Sequence, residues 1–416
     1  MRDIAAVPAD SPHHARWEDL DRLRRTSPMC DAVLDEVDGR HIRSGDHWLV
    51  DFASCNYLGF DRDPEIIAAI EPAVRRWGTH PSWSRLLGSP RLYVDIEERL
   101  AALLGAPDTL LLPTATLIHA SVIPVLAGQG HVYVEAAAHR TVYDGCLAAK
   151  AKGATLHRFR ADRPGELEAL LARNPPEPPG LVCLDGVNSM SGNIPDLPAL
   201  AAVCRRGNAT LYVDDAHGFG VVGERADSES CPYGARGNSV VRHTGETYDG
   251  IVLVGGFSKA YSSLLAFLAL PTRLKNRLKV DAGPYLYSGP SPTASLATAL
   301  AGLEVNERRG DTVRAGLYRK TVRVLDHLRD LGLPTLNTDR LPIVEVPLGG
   351  GADIDAVAGY LWERGIYVTL AAYPLVPRDQ VGFRVQITAL NSDEDIEQLN
   401  DALTGLSRRF ALTDGR

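Results

Sequence analysis

The sequence has no apolar run of about 18 residues or more, the length that a membrane-spanning helix needs. Its apolar segments, such as 110–112 and 251–254, have the length of buried strands. It also has no basic excess, because 52 acidic residues outnumber 44 basic ones and give a net charge of −8. Neither a membrane nor a nucleic acid is therefore an expected partner, and a small-molecule substrate fits better.

Cysteine is scarce and scattered along the chain. The six cysteines form no Cys-x-x-Cys pair and have no histidines at metal-ligand spacing, so we expect neither a zinc site nor a disulfide framework. Residues 1–30 mix charged residues and histidines with few apolar ones, which is not the order of a signal peptide. We therefore expect a cytoplasmic protein without a bound metal.

Length and composition predict two domains. The chain has 416 residues, of which 45% are hydrophobic, enough for one large and one small domain. From about residue 108, short apolar runs alternate with helical patterns, which indicates a mostly parallel sheet covered by helices. After residue 305, a long polar helix precedes strands and helices of a small α+β domain. We predict an N-terminal segment over 1–50, a large domain over 51–305 and a small C-terminal domain over 306–416.

Lys259 is the first candidate for chemistry. Of six lysines, it alone directly follows an apolar strand through a Gly-Gly turn. Open α/β sheets bind ligands at the carboxyl ends of their strands. A lysine desolvated there has a lowered pKa and can form a Schiff base with a carbonyl compound, whereas Lys275 and Lys279 lie in a charged helical segment. An ordinary loop lysine is the structural alternative for Lys259.

A second apolar strand ends in two acids. Asp214 and Asp215 close the run, and His217 follows them. Two adjacent carboxyl groups at the end of a buried strand need a compensating partner. Asp214 could keep the pyridine nitrogen of a cofactor protonated, and a positive ring acts as an electron sink. The alternatives are a helix N-cap, a salt bridge, or a divalent metal bound by Asp214, Asp215 and His217.

A third strand ends in the polar segment 185–192, which begins with Asp185 and contains Ser189. His139 follows a further strand and could stack on a planar ring, pair with a carboxylate or make structural hydrogen bonds. Because three separate strands deliver polar residues to one expected edge of the sheet, we predict a functional site at that edge.

Three motifs, taken in this order, resemble those of the α-oxoamine synthases. They are Asn-Tyr-Leu-Gly at 56–59, Asp-Asp-Ala-His-Gly-Phe-Gly at 214–220 and Ser-Lys-Ala at 258–260. Shorter matches lie at 84–85, around His139, at 185–190 and at 381–384. The resemblance covers roughly residues 38–405.

The resemblance implies an α/β fold of the kind found in fold-type I transferases that depend on pyridoxal 5'-phosphate (PLP). Its large domain would hold a mostly parallel seven-stranded sheet, and its small C-terminal domain would be α+β. Lys259 would form the Schiff base, Asp214 would pair with the pyridine nitrogen, and His139 would stack on the ring. His217 and Ser189 would lie near the phenolic oxygen. The residues that would bind substrate are Asn56, Tyr57, Ser84, Arg85 and Arg384, the last gripping the amino-acid carboxylate.

Several positions depart from the family pattern. The Gly-rich segment before Ser84-Arg85 is His-Pro-Ser-Trp at 80–83, and the first Arg of the C-terminal motif is Gly382. The phosphate-binding Thr three residues before the lysine is Gly256, and the Ser-Thr that reaches across the dimer is Ser288-Gly289. Phosphate binding would then depend on backbone NH groups and on Thr114, Ala115, Thr116, Ser258 and Ser288.

The resemblance implies decarboxylative condensation of an amino acid with an acyl thioester, delivered by coenzyme A or an acyl carrier protein, to give an α-amino ketone. The departures favour a relative in specialised metabolism with an unusual acyl donor. A homodimer with a shared active site is also implied, with the segment around Tyr287 and Ser288 contributed by the partner. The alternatives are a PLP-dependent aminotransferase or carbon-carbon lyase, and a non-catalytic binding protein of the same fold.

Overall fold

The computed structural model describes residues 17–226, 231–349, 353–410 and 412. Residues 1–16 of the predicted N-terminal segment lie outside this part of the chain. Among the described residues no helix is both long and apolar enough to cross a membrane, and no three His, Cys, Asp or Glu side chains are grouped as metal ligands.

The helices and strands follow each other in chain order. The helices are α1 (Glu18–Thr26), α2 (Pro64–Ala68), α3 (Ile70–Trp77), α4 (Arg91–Leu104), α5 (Ala115–Ala127), α6 (Arg140–Ala151), α7 (Pro164–Arg173), α8 (Leu197–Arg206), α9 (Val240–His243), α10 (Thr272–Asp281), α11 (Gly283–Leu286), α12 (Thr293–Asp330), α13 (Ile354–Glu363) and α14 (Asp393–Phe410). The strands are β1 (Glu36–Asp38), β2 (His41–Ser44), β3 (His47–Asp51), β4 (Asp108–Leu112), β5 (His131–Glu135), β6 (Thr155–Phe159), β7 (Gly180–Asp185), β8 (Ala209–Asp214), β9 (Ile251–Gly256), β10 (Ala266–Leu270), β11 (Ile343–Pro347), β12 (Ile366–Tyr367), β13 (Thr369–Ala371) and β14 (Gly382–Gln386).

Of the described residues, the larger of two compact units comprises 55–189, 193–226 and 231–318. Its sheet has seven strands in the order β4-β10-β9-β8-β7-β5-β6. Only β10 runs antiparallel to its neighbours, so the predicted mostly parallel, seven-stranded sheet is confirmed. Strands β7 and β9 are buried along their whole length, which explains their continuous apolar sequence.

Helix α5 covers one face of this sheet and forms the core with it. Its side chains Ile118, Val122 and Ile123 are fully buried in a cluster with apolar residues of β4, β5 and β9. The helix begins where Thr114 accepts a hydrogen bond from the backbone NH of Leu117, an N-cap that follows directly from β4. This packing fixes the start of α5 at the edge of the sheet where β4 ends.

Of the described residues, the smaller unit comprises those within 17–54, 190–192 and 319–412. It contains the sheet β1-β2-β3-β12, in which β12 runs parallel to β3, and the antiparallel sheet β11-β14-β13. Helices α13 and α14 accompany these sheets in sequence. The predicted small α+β C-terminal domain is thereby confirmed.

Candidate active site

The carboxyl ends of β7, β8 and β9 bring together the acids and the lysine that the sequence singled out. Asp185 and Asp214 are the last residues of neighbouring parallel strands and are paired in register. Strand β8 pairs with β7 on one side and with β9 on the other, and Lys259 follows β9. The positive charge of Lys259 acts on the carboxyl groups of Asp185, Asp214 and Asp215, and taken by itself it favours the ionised form of each.

Asp214 is buried, with a relative exposure of 6%, and both carboxylate oxygens are hydrogen-bonded. Oδ2 lies 3.0 Å from Nε2 of His119, and Oδ1 accepts a hydrogen bond of 3.0 Å from the backbone NH of Ala216. Burial alone would raise the pKa of Asp214, but His119 and Lys259 outweigh it and lower the pKa to about 2. Asp214 therefore holds a negative charge at neutral pH.

The two acids beside Asp214 differ from it. Burial, together with the negative charge of Asp214, raises the pKa of Asp185 and of Asp215 well above the ordinary carboxyl range. Asp185 accepts a hydrogen bond of 2.9 Å from the backbone NH of His139, and Asp215 accepts one of 3.0 Å from that of Val240. Environments that separate the pKa values of neighbouring acids assign them different roles, and here one charge remains, on Asp214.

His119 and Tyr212 complete the surroundings of Asp214, and sequence reasoning missed both. The ring of His119 is fully buried, and its Nδ1 lies 2.9 Å from the Tyr212 hydroxyl. A carboxylate only accepts, so Nε2 of His119 donates to Asp214, and in the neutral ring Nδ1 accepts from Tyr212. Burial raises the pKa of Tyr212 well above its ordinary value, which keeps the hydroxyl proton in place.

One sequence signal could have pointed to this pair. Tyr212 and Asp214 stand two residues apart on β8 and so share a face of the sheet. A tyrosine in the middle of a buried strand needs a hydrogen-bond partner for its hydroxyl. The partner is His119 of helix α5, which covers the sheet. The pattern of β8 alone predicts that Tyr212 needs a hydrogen-bond partner, but it does not predict which residue provides it.

His217 lies in the turn after Asp214 and Asp215. Its Nδ1 lies 2.7 Å from the hydroxyl of Tyr57, and both side chains are buried. Two motifs that are 160 positions apart in the sequence therefore meet through one hydrogen bond. The link fixes the orientation of the imidazole at the edge of the sheet.

His139 is exposed and caps helix α6. Its Nδ1 lies 2.8 Å from Oγ1 of Thr141, while its backbone NH is held by Asp185. The predicted role of stacking on a cofactor ring is not tested by these contacts and stays a prediction.

Arg85 lies in a buried charge network. Its guanidinium donates to Glu97 and to the carbonyl of Leu111, each at 2.8 Å, and lies over the rings of Tyr93 and Tyr285. Glu97 also accepts from Lys275 at 2.9 Å. These contacts give Arg85 a structural task, and its predicted contact with substrate stays a prediction.

The remaining predicted residues lie in loops or at helix ends. Ser258 is exposed in the turn after β9, and Thr114 caps α5, whose first residues are Ala115 and Thr116. Ser288 donates to the carbonyl of Gly289 within its own loop. Three more, Asn56, Ser84 and Ser189, are half-buried in the larger unit.

Arg384 belongs to the smaller unit, on strand β14. Its side chain is half-buried, and Nη1 donates to the sulfur of Met190 at 3.5 Å. Its predicted contact with an amino-acid carboxylate is not tested by these contacts.

The comparison with known families decides the classification. The family "aminotransferase class I and II" matches residues 48–403. The chain belongs to this family. Within the aminotransferase class I and II family, the chain is 33% identical over 400 residues to 8-amino-7-oxononanoate synthase of Chromohalobacter salexigens, which covers 93% of the chain and 99% of that protein.

Solved structures of the family give the same answer. A structure of SPT with PLP has 25% identity and a TM-score of 0.86 and covers 97% of this chain and 98% of its own. Serine palmitoyltransferase of Sphingomonas wittichii has 26% identity and a TM-score of 0.85 and covers 95% of this chain and 96% of its own. These relatives are α-oxoamine synthases, so the predicted resemblance and the fold-type I architecture are confirmed.

Proposed function

We propose that this chain is a PLP-dependent acyltransferase that condenses an amino acid with an acyl thioester, releases carbon dioxide and yields an α-amino ketone. The observation that carries the proposal is the buried, ionised carboxylate of Asp214 within the field of Lys259. Relatives named 8-amino-7-oxononanoate synthase and serine palmitoyltransferase support it. The acyl donor would be an acyl-CoA or an acyl carrier protein.

The donor set at the sheet edge fits PLP. A negative carboxylate suits a protonated pyridine nitrogen, and Asp214 is the acid that keeps its charge. Lys259 would supply the amine that holds the aldehyde, His139 would stack on the ring, and His217 and Ser189 would donate hydrogen bonds near the phenolic oxygen. When bound, PLP supplies an electron sink for the negative charge that develops at the α-carbon of the amino acid.

The phosphate site relies on the start of α5 and on Ser258. Backbone NH groups at a helix N-terminus bind anions, and those of Ala115 and Thr116 follow the N-cap Thr114. Gly256 carries no hydroxyl, but a Cβ built there would lie 3.4 Å from Oγ of Ser258. The Ser258 hydroxyl therefore lies next to the space that a threonine side chain at position 256 would occupy. This supports Ser258 as the replacement for the phosphate-binding hydroxyl that Gly256 lacks.

The residues of the chain move and hold protons in this reaction. The Nζ amine of Lys259 removes the α-proton of the amino acid and later returns a proton to the same carbon. Asp214 stays ionised because His119 and the backbone NH of Ala216 donate hydrogen bonds to its carboxylate oxygens. Arg384 binds the amino-acid carboxylate through its planar guanidinium, and Asn56, Tyr57, Ser84 and Arg85 are the other residues assigned to substrate binding.

We further propose a cytoplasmic homodimer in which Ser288 of the partner subunit contributes to the phosphate site. Exposed apolar side chains support an interface, since Leu87 and Tyr287 expose 79% and 86% of their surface. We also propose that the chain has a large domain over 51–305 and a small C-terminal domain over 306–416. Its reaction would belong to specialised metabolism.

Borohydride reduction of the purified, PLP-loaded protein tests the cofactor assignment. We expect the cofactor absorbance to be lost and peptide mass spectrometry to find the cofactor fixed to Lys259. Lys259→Ala should have no measurable turnover, because the amine that moves the proton is gone. Lys279→Ala, which removes a lysine from helix α10, is the matched control and should keep full activity.

Product analysis separates the proposed reaction from its alternatives. Release of free thiol together with carbon dioxide supports the condensation. An aminotransferase would instead form an oxo acid without thiol, and a lyase would cleave a carbon-carbon bond without an acyl donor. A purified protein that takes up no PLP would favour a non-catalytic binder, which the missing hydroxyl at Gly256 makes worth testing.

A further inference from the structure

Glu345 is a buried acid that the proposed reaction does not use. It lies on β11 with no exposed surface, and neither carboxylate oxygen has a hydrogen-bond partner among the residues that the structure describes. Buried polar groups in native structures are nearly always hydrogen-bonded, because an unsatisfied one costs free energy. An acid left in this state at the centre of a strand therefore calls for an explanation.

Arg384 stands directly opposite Glu345 in the antiparallel pair of β11 and β14. Directly opposed residues point to the same face of a sheet, with Cβ atoms about 5 Å apart. Thr369 of β13 continues the row on the other side of Arg384, and the sulfur of Met190 accepts from its guanidinium. Arg384 is thus the charged group that faces Glu345. The other two neighbours of Arg384 named here, Thr369 and Met190, are neutral.

The electrostatics agree with this geometry. Burial raises the pKa of Glu345 to about 7, and the positive charge of Arg384 limits the rise. At neutral pH the carboxyl group is therefore poised between its two protonation states. A second negative charge brought to the same guanidinium would favour the protonated state.

We propose that Glu345 is a positioning residue for Arg384: in the absence of substrate its ionised carboxylate balances the charge of the guanidinium, and it takes up one proton from solvent when a substrate carboxylate binds to Arg384. The inference rests on the proposed function, in which Arg384 binds the carboxylate of the amino acid. Two carboxylates then share one cation, and proton uptake relieves their repulsion. Binding of the substrate carboxylate is therefore coupled to a proton and weakens as the pH rises through 7.

Calorimetric titration of the PLP-loaded enzyme with L-alanine tests the coupling. Measurements at pH 8 in two buffers of different ionisation enthalpy give the number of protons bound. Relative to Glu345→Gln, the wild-type protein should take up close to one additional proton. Its Kd should rise by up to about tenfold between pH 7 and pH 8 relative to the variant. Comparison with the variant cancels the proton that the amine of L-alanine releases, since both proteins bind the same amine.

Glu394→Gln is the matched control, because Glu394 is an exposed acid of the same unit and should leave proton uptake as in the wild type. Equal proton uptake by wild type and Glu345→Gln would overturn the inference and leave the proposed function standing. If the wild-type protein binds no amino acid of a full panel, the proposed function falls and the inference falls with it.

Infrared difference spectra of the ligand-free protein between pH 6 and pH 8.5 report on Glu345 itself. The wild type should lose a protonated-carboxyl band that is missing from Glu345→Gln. Identical difference spectra would contradict the ionisation of Glu345 near neutral pH, whatever the enzyme binds.

Discussion

Each of the two units contains a buried acid near a positively charged side chain: Asp214 near Lys259, and Glu345 near Arg384. The two acids differ in their ionisation. Asp214 of the larger unit is 6% exposed and Glu345 of the smaller unit is 0% exposed. The pKa of Asp214 is about 2, whereas that of Glu345 is about 7. Burial works in the same direction on both, so their partners must account for the difference.

The partners differ in hydrogen bonding. Both oxygens of Asp214 are hydrogen-bonded, to His119 and to the NH of Ala216, while neither oxygen of Glu345 accepts a hydrogen bond from the described part of the chain. Asp214 experiences the charges of both His119 and Lys259, whereas Glu345 experiences that of Arg384. One cation without hydrogen bonds therefore leaves the pKa of Glu345 near neutral pH, whereas two charged neighbours and donors at both oxygens keep Asp214 ionised. This is the difference between a fixed charge and one that responds to pH.

Removing the fixed charge should have the largest effect. Asp214→Asn keeps the shape of the side chain but cannot hold a pyridine proton, so we expect kcat to fall by roughly 10³-fold, as for loss of a central electrostatic group. Cofactor absorbance should persist, because Lys259 remains. Steady-state kinetics and absorbance spectra check this, and Asp249→Asn, at an exposed acid before β9, is the control. Full activity in Asp214→Asn would remove the basis of the proposed function.

Removing one of the donors should have a smaller effect. His119→Phe fills the buried space but leaves Oδ2 of Asp214 without its partner, and a hydrogen bond to a charged group contributes about 1.5–3 kcal/mol. We expect kcat to fall about 10- to 100-fold. Because burial is then less well compensated, the pKa of Asp214 rises and activity is lost at a higher pH on the acid side.

His119→Gln is the conservative variant, since its amide can still donate to Asp214. It should recover most of the activity and the acid limb of the wild type. A pH profile of kcat that is the same for all three proteins would mean that His119 has only a packing role.

The free energy of unfolding should depend on pH through Glu345, the acid without hydrogen bonds. A carboxyl group whose folded pKa lies near 7, against about 4.3 in unfolded chains, stabilises the fold below pH 4.3, and this contribution is lost as the pH rises through 7. Glu345→Gln has no such loss. We expect the variant to gain up to roughly 3 kcal/mol relative to wild type between pH 5 and pH 8. Urea unfolding at both pH values measures this, and a difference that does not change with pH would contradict it.

Much of the site could be predicted from the sequence because its chemistry is carried by short local patterns. Lys259 follows an apolar strand and Asp214 ends another, and the parallel arrangement of β8 and β9 brings the strand ends to one edge of the sheet. The alternation of apolar runs with helical patterns likewise predicted the sheet. These features depend on near neighbours in the sequence, which is why they were visible.

The groups that set the charges could not be predicted in this way. His119 meets Asp214 from 95 positions away, on a helix whose pattern is simply apolar. Glu345 looks like a strand residue with a solvent-facing side chain, and only the pairing of β11 with β14 places it opposite Arg384. Contacts of this kind depend on which elements become neighbours, and periodicity does not specify that.

Tyr212→Phe should give the smallest change, because it alters the partner of His119 rather than Asp214 itself. The variant removes one hydroxyl, leaving Nδ1 of His119 without its donor in a fully buried position. A neutral hydrogen bond contributes about 1 kcal/mol, so we expect a loss of stability near that value and a fall in kcat of less than about tenfold. Thermal unfolding and steady-state kinetics check both. If Tyr212→Phe reduced kcat as much as His119→Phe, the hydroxyl would be needed to hold the proton on Nε2, and the charge of Asp214 would depend on all three residues acting as one unit.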